Sequence, residues 1–308
     1  MTSQTFNTDY TKVMKNDMRP AIRNDIPTLL KLWNALYVYD QVDEERFKYV
    51  IFDDPHIQTN STIVATDGNE MVGFVSSSII EGDGYLKALA FDQEKLNIAD
   101  SLLSEAESHI LSRGSKTVTV VHYPADHYFS PGIDKRYKDL LHFFHGRKYQ
   151  EKEETHDMTI DLKNFALTEK QRQKLQQISH AGIRIVEYEN GMKKALQDFR
   201  AAIDQPTWFN ELESDPSQDG ALAALQGDVM IGLCGYQVRD NVGDFGPLHV
   251  RMEEREKGVG SALLLEAMLC MQKAGATEST AKWVWPFRLY ESTGWNILRS
   301  YSILEKKL

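Results

Sequence analysis

At 308 residues, with 42% apolar and 26% charged residues, the chain has the composition of an ordinary soluble globular protein and is long enough for two domains. A net charge of −10 argues against nucleic acid as a main partner, and the sequence holds no run of about 18 apolar residues that would span a membrane. Two cysteines, Cys234 and Cys270, are too few for a disulfide framework and read as reduced thiols of a cytoplasmic protein, and no Cys/His cluster has zinc spacing.

Residues 1–16 are polar, lack an apolar core and read as an N-terminal tail rather than a secretory signal. A strand is expected over 18–23. Ile26, Leu29, Leu30, Leu32 and Trp33 have helical spacing over 25–37, and a second helix is expected over 44–52. Strand-like runs at 61–66, 71–80 and 85–91 precede a helix over 99–113, with Leu102, Leu103, Ala106 and Ile110 on one face and Gly114 as its stop. Residues 117–123 are β-branched and read as a strand. A Pro- and Gly-containing loop leads to a helix over 135–146, and strands at 149–153 and 157–162 close the first half. The polar stretch 168–177 reads as a linker helix. The second half repeats the order. A strand at 183–189, a helix at 192–203 and strands at 221–225, 230–238 and 244–250 lead to a turn with two glycines. A helix over 261–274, a strand at 279–284, a short helix near 287–292 and a last strand at 295–304 follow. Strands in a row at both ends of each half, with helices between, read as α+β.

Shifted by 161 residues, the chain matches itself: Leu102-Leu103 falls on Leu263-Leu264, Glu105-Ala106 on Glu266-Ala267, Gly114 on Gly275 and Gly82-Asp83 on Gly243-Asp244. Seven identities at one shift, on a shared strand–turn–helix pattern, point to duplication.

The turn Arg255-Glu256-Lys257-Gly258-Val259-Gly260 follows a strand ending in Val250 and runs into a helix at Ser261. Glycines there leave backbone N–H groups unshielded at a helix start, where unpartnered donors and the positive end of the macrodipole attract phosphate. The R-x-x-G-x-G spacing resembles the acetyl-CoA pyrophosphate loop of the GCN5-related N-acetyltransferases (GNAT superfamily), and the run Tyr290 to Trp295 resembles that family's closing helix. The resemblance covers the chain after about residue 17, and its motifs are specific in the second half. It implies two tandem GNAT domains: a degenerate one over 17–162, a linker over 163–182 and a catalytic one over 183–308. A tandem with an inactive first domain is similar to mycothiol synthase, whose substrate nothing in this sequence reads.

What the resemblance implies for residues is specific. Backbone groups of Leu248, His249 and Val250 would pair with the pantetheine amides of acetyl-CoA. The amides from Lys257 through Gly258, Val259 and Gly260 to Ser261 would hold the pyrophosphate, in the loop that Arg255 and Glu256 begin, with Arg255 and Lys257 adding positive charge. Tyr290 would be the general acid that protonates the leaving thiolate. Asp244 is the candidate base for a primary amine attacking directly; it also reads as a turn residue, and a water can serve instead. Trp208, Phe209, Glu211 and Trp285 are candidate substrate contacts, aromatics beside an acid being suited to an ammonium group, or else an acidic loop and core residues. In the first half Glu94 and Asn97 fall where Arg255 and Gly258 stand, and both work against a polyanion. No metal is implied. The expected activity is acetyl transfer from acetyl-CoA to a small amine, by a monomer or homodimer without nucleic-acid or membrane partners. The alternative is a non-catalytic acyl-CoA-binding sensor or interaction protein, in which Tyr290 would not be needed.

Overall fold

A computed structural model describes residues 18–121, 127–203, 220–284 and 286–308. They form two units: residues up to Glu154 together with Tyr301–Leu308, and Thr155–Ser300.

In the first unit β1 (Met18–Pro20), β2 (Thr62–Asp67), β3 (Glu70–Ile80) and β4 (Asp83–Phe91) pair antiparallel in that order. Between β1 and β2 run α1 (Ile26–Leu36) and α2 (Glu44–Ile51); the Asp43 carboxylate caps α2 by accepting from the Arg46 amide at 2.8 Å. After β4, α3 (Leu96–Ser112) buries the apolar face read from its spacing and returns the chain to β5 (Thr117–Val120), parallel to β4. That pairing covers three positions, Gly84–Val118 to Leu86–Val120. Then come β6 (Ile133–Asp134), α4 (Lys138–Gly146) and the first residues of β7 (Gln150–Asp161). The end of the last strand, β13 (Asn296–Lys307), closes this unit by pairing antiparallel with β5, Leu304 opposite Val120.

The second unit opens with the rest of β7. The polar stretch after it forms α5 (Glu169–His180), started by a capping box: Thr168 Oγ1 accepts from the Gln171 amide at 3.3 Å, and Gln171 Oε1 accepts from the Thr168 amide at 2.9 Å. The segment expected as a linker thus lies within the second unit, where α5 packs on the helix that follows the glycine turn. β8 (Ile183–Glu187), α6 (Lys193–Arg200), β9 (Gly220–Gln226), β10 (Val229–Arg239) and β11 (Val242–Val250) come next, the four strands pairing antiparallel in sequence order. Alternation splits β9 between two cores: Leu222 and Ala224 join the cluster beneath α7 (Val259–Lys273), while Ala221, Ala223 and Leu225 join Leu196 and Phe199 of α6. With apolar residues on nearly every side, α7 is buried around most of its circumference. β12 (Glu278–Val284) pairs parallel to β11 on one side and antiparallel to β7 on the other; α8 (Phe287–Glu291) follows it.

The repeat is structural, with one correction to the sequence alignment. The helices correspond at 161 residues, but the central strands correspond at 159. Leu102 Cδ1 closes on Gly73 as Leu263 Cδ1 closes on Gly232, and Ile110 crowds Gly84 as Met271 crowds Gly243. Gly84, not Gly82, is therefore the counterpart of Gly243. The turn from strand to helix is two residues shorter in the first unit, a difference that matching at a single shift conceals. Among the described residues no helix is long and apolar enough to cross a membrane, and no group of His, Cys, Asp or Glu is arranged to hold a metal.

Candidate functional site

β11 and β12 pair only at Val242–Glu278, Gly243–Ser279 and Asp244–Thr280, whereas β11 and β10 stay paired as far as Val250. Beyond Asp244 the edge of β11 turned away from β10 has no strand partner among the described residues. An unpartnered edge offers backbone donors and acceptors to an extended ligand. The parting opens a cavity of about 1040 Å³, at the top of the ~300–1,000 Å³ range usual for ligand sites. Leu248, His249 and Val250 line one wall, Lys174, Gln177 and Ile178 of α5 another, and Tyr290 with Leu289 and Pro286 a third.

The glycine turn forms one end. Glu256 and Gly258 both have positive φ, +65° and +91°, and Gly258, the N-cap of α7, has no side chain to satisfy the helix's first donors. An added Cβ at Gly258 would meet only ordinary contacts, the nearest being Ile178 at 3.6 Å, so glycine serves the backbone angle there rather than a shortage of space.

The two cations of the turn line the cavity and have partners within the protein. Arg255 Nε donates to the Val250 carbonyl at 3.2 Å, and its Nη2 lies 3.1 Å from His249 Nε2. A guanidinium only donates, so the histidine nitrogen accepts in this contact. Lys257 is paired with Glu254 at 2.9 Å. A third cation, Lys174 on α5, donates to Ser261 Oγ at 3.1 Å in the first turn of α7. Sequence reading passed over Lys174 because it stands 80-odd residues before the motif; its only local signal was the capping box that fixes where α5 starts.

Tyr290 is buried, 8% exposed, against Phe245 and Trp295, with ring centroids 6.0 and 5.6 Å away. Burial, and then the neighbouring Cys234 thiol, push its phenol above the ordinary tyrosine value. The short helix that carries it is tied to α5, for Gln171 Nε2 donates to the Thr293 carbonyl at 3.2 Å. The cavity thus brings together Tyr290, Leu248, His249, Val250, Arg255, Glu256, Lys257, Gly258, Gly260 and Ser261, while Val259 is not in its lining. Asp244 is exposed on β11 and is not part of the cavity lining. Trp208, Phe209, Glu211 and Trp285 lie outside the described residues.

Solved structures share this fold. A GCN5-related glucosamine N-acetyltransferase region of a fungal multi-domain GH3 beta-N-acetylglucosaminidase superposes with a TM-score of 0.73 at 16% identity, over 94% of this chain and 38% of that one, so the chain spans well under half the length of that relative. A GCN5-related N-acetyltransferase from Sphaerobacter thermophilus matches with a TM-score of 0.63 at 16% identity, over 94% of this chain and 95% of its own. A tandem GNAT protein from the clavulanic acid biosynthesis pathway gives 0.56 at 12%, over 94% and 98%. No family model and no curated protein matches the sequence. The fold is that of the GCN5-related N-acetyltransferases, in the tandem arrangement.

Proposed function

We propose that the chain is an acetyl-CoA-dependent N-acetyltransferase whose second unit carries the reaction. One observation carries the reading: a single large cavity is bounded by an unpartnered strand edge, a glycine-capped helix start and a buried tyrosine. Those are an acceptor for amides, a cradle for phosphates and a proton donor. The lining runs from the glycine turn past Leu248 to Tyr290, so the three groups share one cavity.

In this reading Leu248 and Val250 offer backbone groups to the pantetheine arm, and the amides at the start of α7 hold the pyrophosphate. A neutral primary amine of a small molecule attacks the thioester carbon. The carbon–sulfur bond breaks, and the Tyr290 hydroxyl gives its proton to the departing sulfur. Being buried, that hydroxyl stays protonated until it is needed. Asp244 lies outside the lining, so the amine's surplus proton passes to water.

The test is calorimetric titration with acetyl-CoA, followed by thiol release with a panel of small amines. Glucosamine comes first in the panel, because one structural neighbour is described as a glucosamine N-acetyltransferase. One site per chain with amine-dependent thiol release is the expected result. Binding without release for any amine would favour the sensor reading, and absence of binding would end both.

A further inference from the structure

The cations that the motif supplies line the cavity but already have partners, while one that the motif does not contain lies at the start of α7. Lys257 is held by Glu254, and Arg255 by His249 and the Val250 carbonyl. Glu256 also lines the cavity and opposes an anion. With both motif cations already partnered, a polyanion held at this turn gains from positive charge supplied by another element as well.

We propose that Lys174, on the helix that precedes the second sheet, is that charge: a binding residue that contacts the pyrophosphate of the acyl donor. The inference rests on the reading of the cavity as an acetyl-CoA site. Lys174 lines the cavity, and its ammonium lies 3.1 Å from Ser261 Oγ, one residue past Gly260 in the first turn of α7. Its stem runs alongside the glycine cap, where an added Cβ on Gly258 would stand 3.9 Å from Lys174 Cε. Its partner there is a neutral hydroxyl, and no carboxylate pairs with it among the described residues. Two of its three N–H donors are thus left for phosphate oxygens.

The position is fixed rather than adventitious. The buried Ile178, one turn further along α5, packs into the core beneath α7, and Gln171, three residues before Lys174, is anchored to the Thr293 carbonyl. α5 therefore touches both the phosphate end of the cavity and the segment that ends the Tyr290 helix.

The experiment is calorimetric affinity of the full chain for acetyl-CoA, for acetyl-dephospho-CoA, which lacks the 3′-phosphate, and for acetyl-pantetheine, which lacks every phosphate. Wild type, Lys174→Met and Lys174→Arg are compared, methionine preserving the packed stem. Lys174→Met is expected to weaken acetyl-CoA and acetyl-dephospho-CoA by the same factor, about ten- to a hundredfold for a charge-assisted contact. It should leave acetyl-pantetheine unchanged, and Lys174→Arg should retain most of the affinity. A loss confined to acetyl-CoA would assign the ammonium to the 3′-phosphate and overturn the proposal. Equal losses for all three ligands would mean a packing role and overturn it too, as would no loss for any. If wild type binds none of the three, the acetyl-CoA reading itself fails and takes the proposal with it. If wild type binds and Lys174→Met binds equally well, only the role of Lys174 fails.

Discussion

The Tyr37 hydroxyl donates a 3.0 Å hydrogen bond to the Leu89 carbonyl. Leu89 is the counterpart, at the 159-residue offset of the strands, of Leu248 in the second unit. In the first unit, then, a side chain of the protein holds the backbone acceptor that faces open space in the second. Trp33 stacks on Tyr37 at 3.8 Å, and Phe129 packs on Trp33 at 4.0 Å. The cavity beside the parting of β4 and β5 is left with about 10 Å³, room for no more than a water molecule. This supports the first unit as a copy that no longer holds an acyl donor, so the titration is expected to give one site per chain. Tyr37→Phe should leave that stoichiometry at one while lowering stability by about 1–3 kcal/mol, the cost of an unpartnered buried acceptor. Denaturant unfolding measures it, and a second binding site in either protein would contradict the reading.

Gly258 and Gly260 are expected to differ sharply. Gly258 caps α7 at φ +91°, so Gly258→Ala places a Cβ in left-handed backbone at a cost of about 1–2 kcal/mol or else reshapes the turn. Affinity for acetyl-CoA should fall about tenfold or more. Gly260 lies within α7, where an added Cβ would stand 3.6 Å from Leu289 and from Val250, and the corresponding helix position in the first unit is already Ala99. Gly260→Ala should change stability by no more than about 0.5 kcal/mol. Equal effects of the two substitutions on affinity would remove the turn geometry from the argument.

How far the sequence disclosed this molecule depended on whether a signal was local. Helical spacing in α1, α3 and α7, and the glycines of the turn, are written in adjacent residues, and each stands where it was expected. The duplication was legible too, because identical leucines and glycines recur in the helices. What escaped was set by contacts distant in sequence. The two-residue difference in the strand-to-helix turn emerges only when Gly73 and Gly232 are seen against Leu102 and Leu263. That the turn's own cations point to Glu254 and His249, and that Lys174 points to Ser261, are tertiary outcomes which no motif spacing encodes. The pairing of residues 304–307 with β5 in the first unit likewise joins segments that are far apart in the chain.

Tyr290→Phe separates binding from chemistry. The ring remains to pack on Phe245 and Trp295, so affinity for acetyl-CoA should hold. Loss of the proton donor should lower kcat about 10²- to 10⁴-fold. Because burial raises the phenol's pKa, the hydroxyl keeps its proton across neutral and mildly alkaline pH. The kcat profile should accordingly show no falling limb from this group below pH ~10, where an exposed tyrosine ionises. The same shift bears on stability. A pKa raised by folding contributes stability that is intact below the unfolded value near ~10 and is lost as pH rises through the folded value. Urea midpoints compared at neutral pH and above pH ~10 should fall less for Tyr290→Phe than for wild type. A kcat for the variant equal to wild type would remove Tyr290 from the mechanism.

The first unit contains a fully buried ion pair whose geometry isolates charge from hydrogen bonding. Lys87 on β4 donates to Asp54 Oδ2 and, at 2.7 Å, to the Val50 carbonyl, and neither side chain of the pair is exposed. The other carboxylate oxygen, Oδ1, accepts from the His56 amide at 2.8 Å. Asp54→Asn keeps an oxygen for that amide but strips the counter-charge from a desolvated ammonium. The expected loss is about 3–5 kcal/mol, the usual consequence of breaking a buried pair from one side. Replacing both members, Asp54→Leu with Lys87→Met, removes the desolvation cost of two ions together with their attraction. The double variant should therefore be closer to wild type than the Asp54→Asn single variant. Urea unfolding of the wild type, Lys87→Met, Asp54→Leu and double variants completes a cycle whose coupling energy is the interaction itself. A coupling near zero would mean that the contact between the two side chains contributes no net stability, and it would contradict the expected cost of breaking the pair from one side.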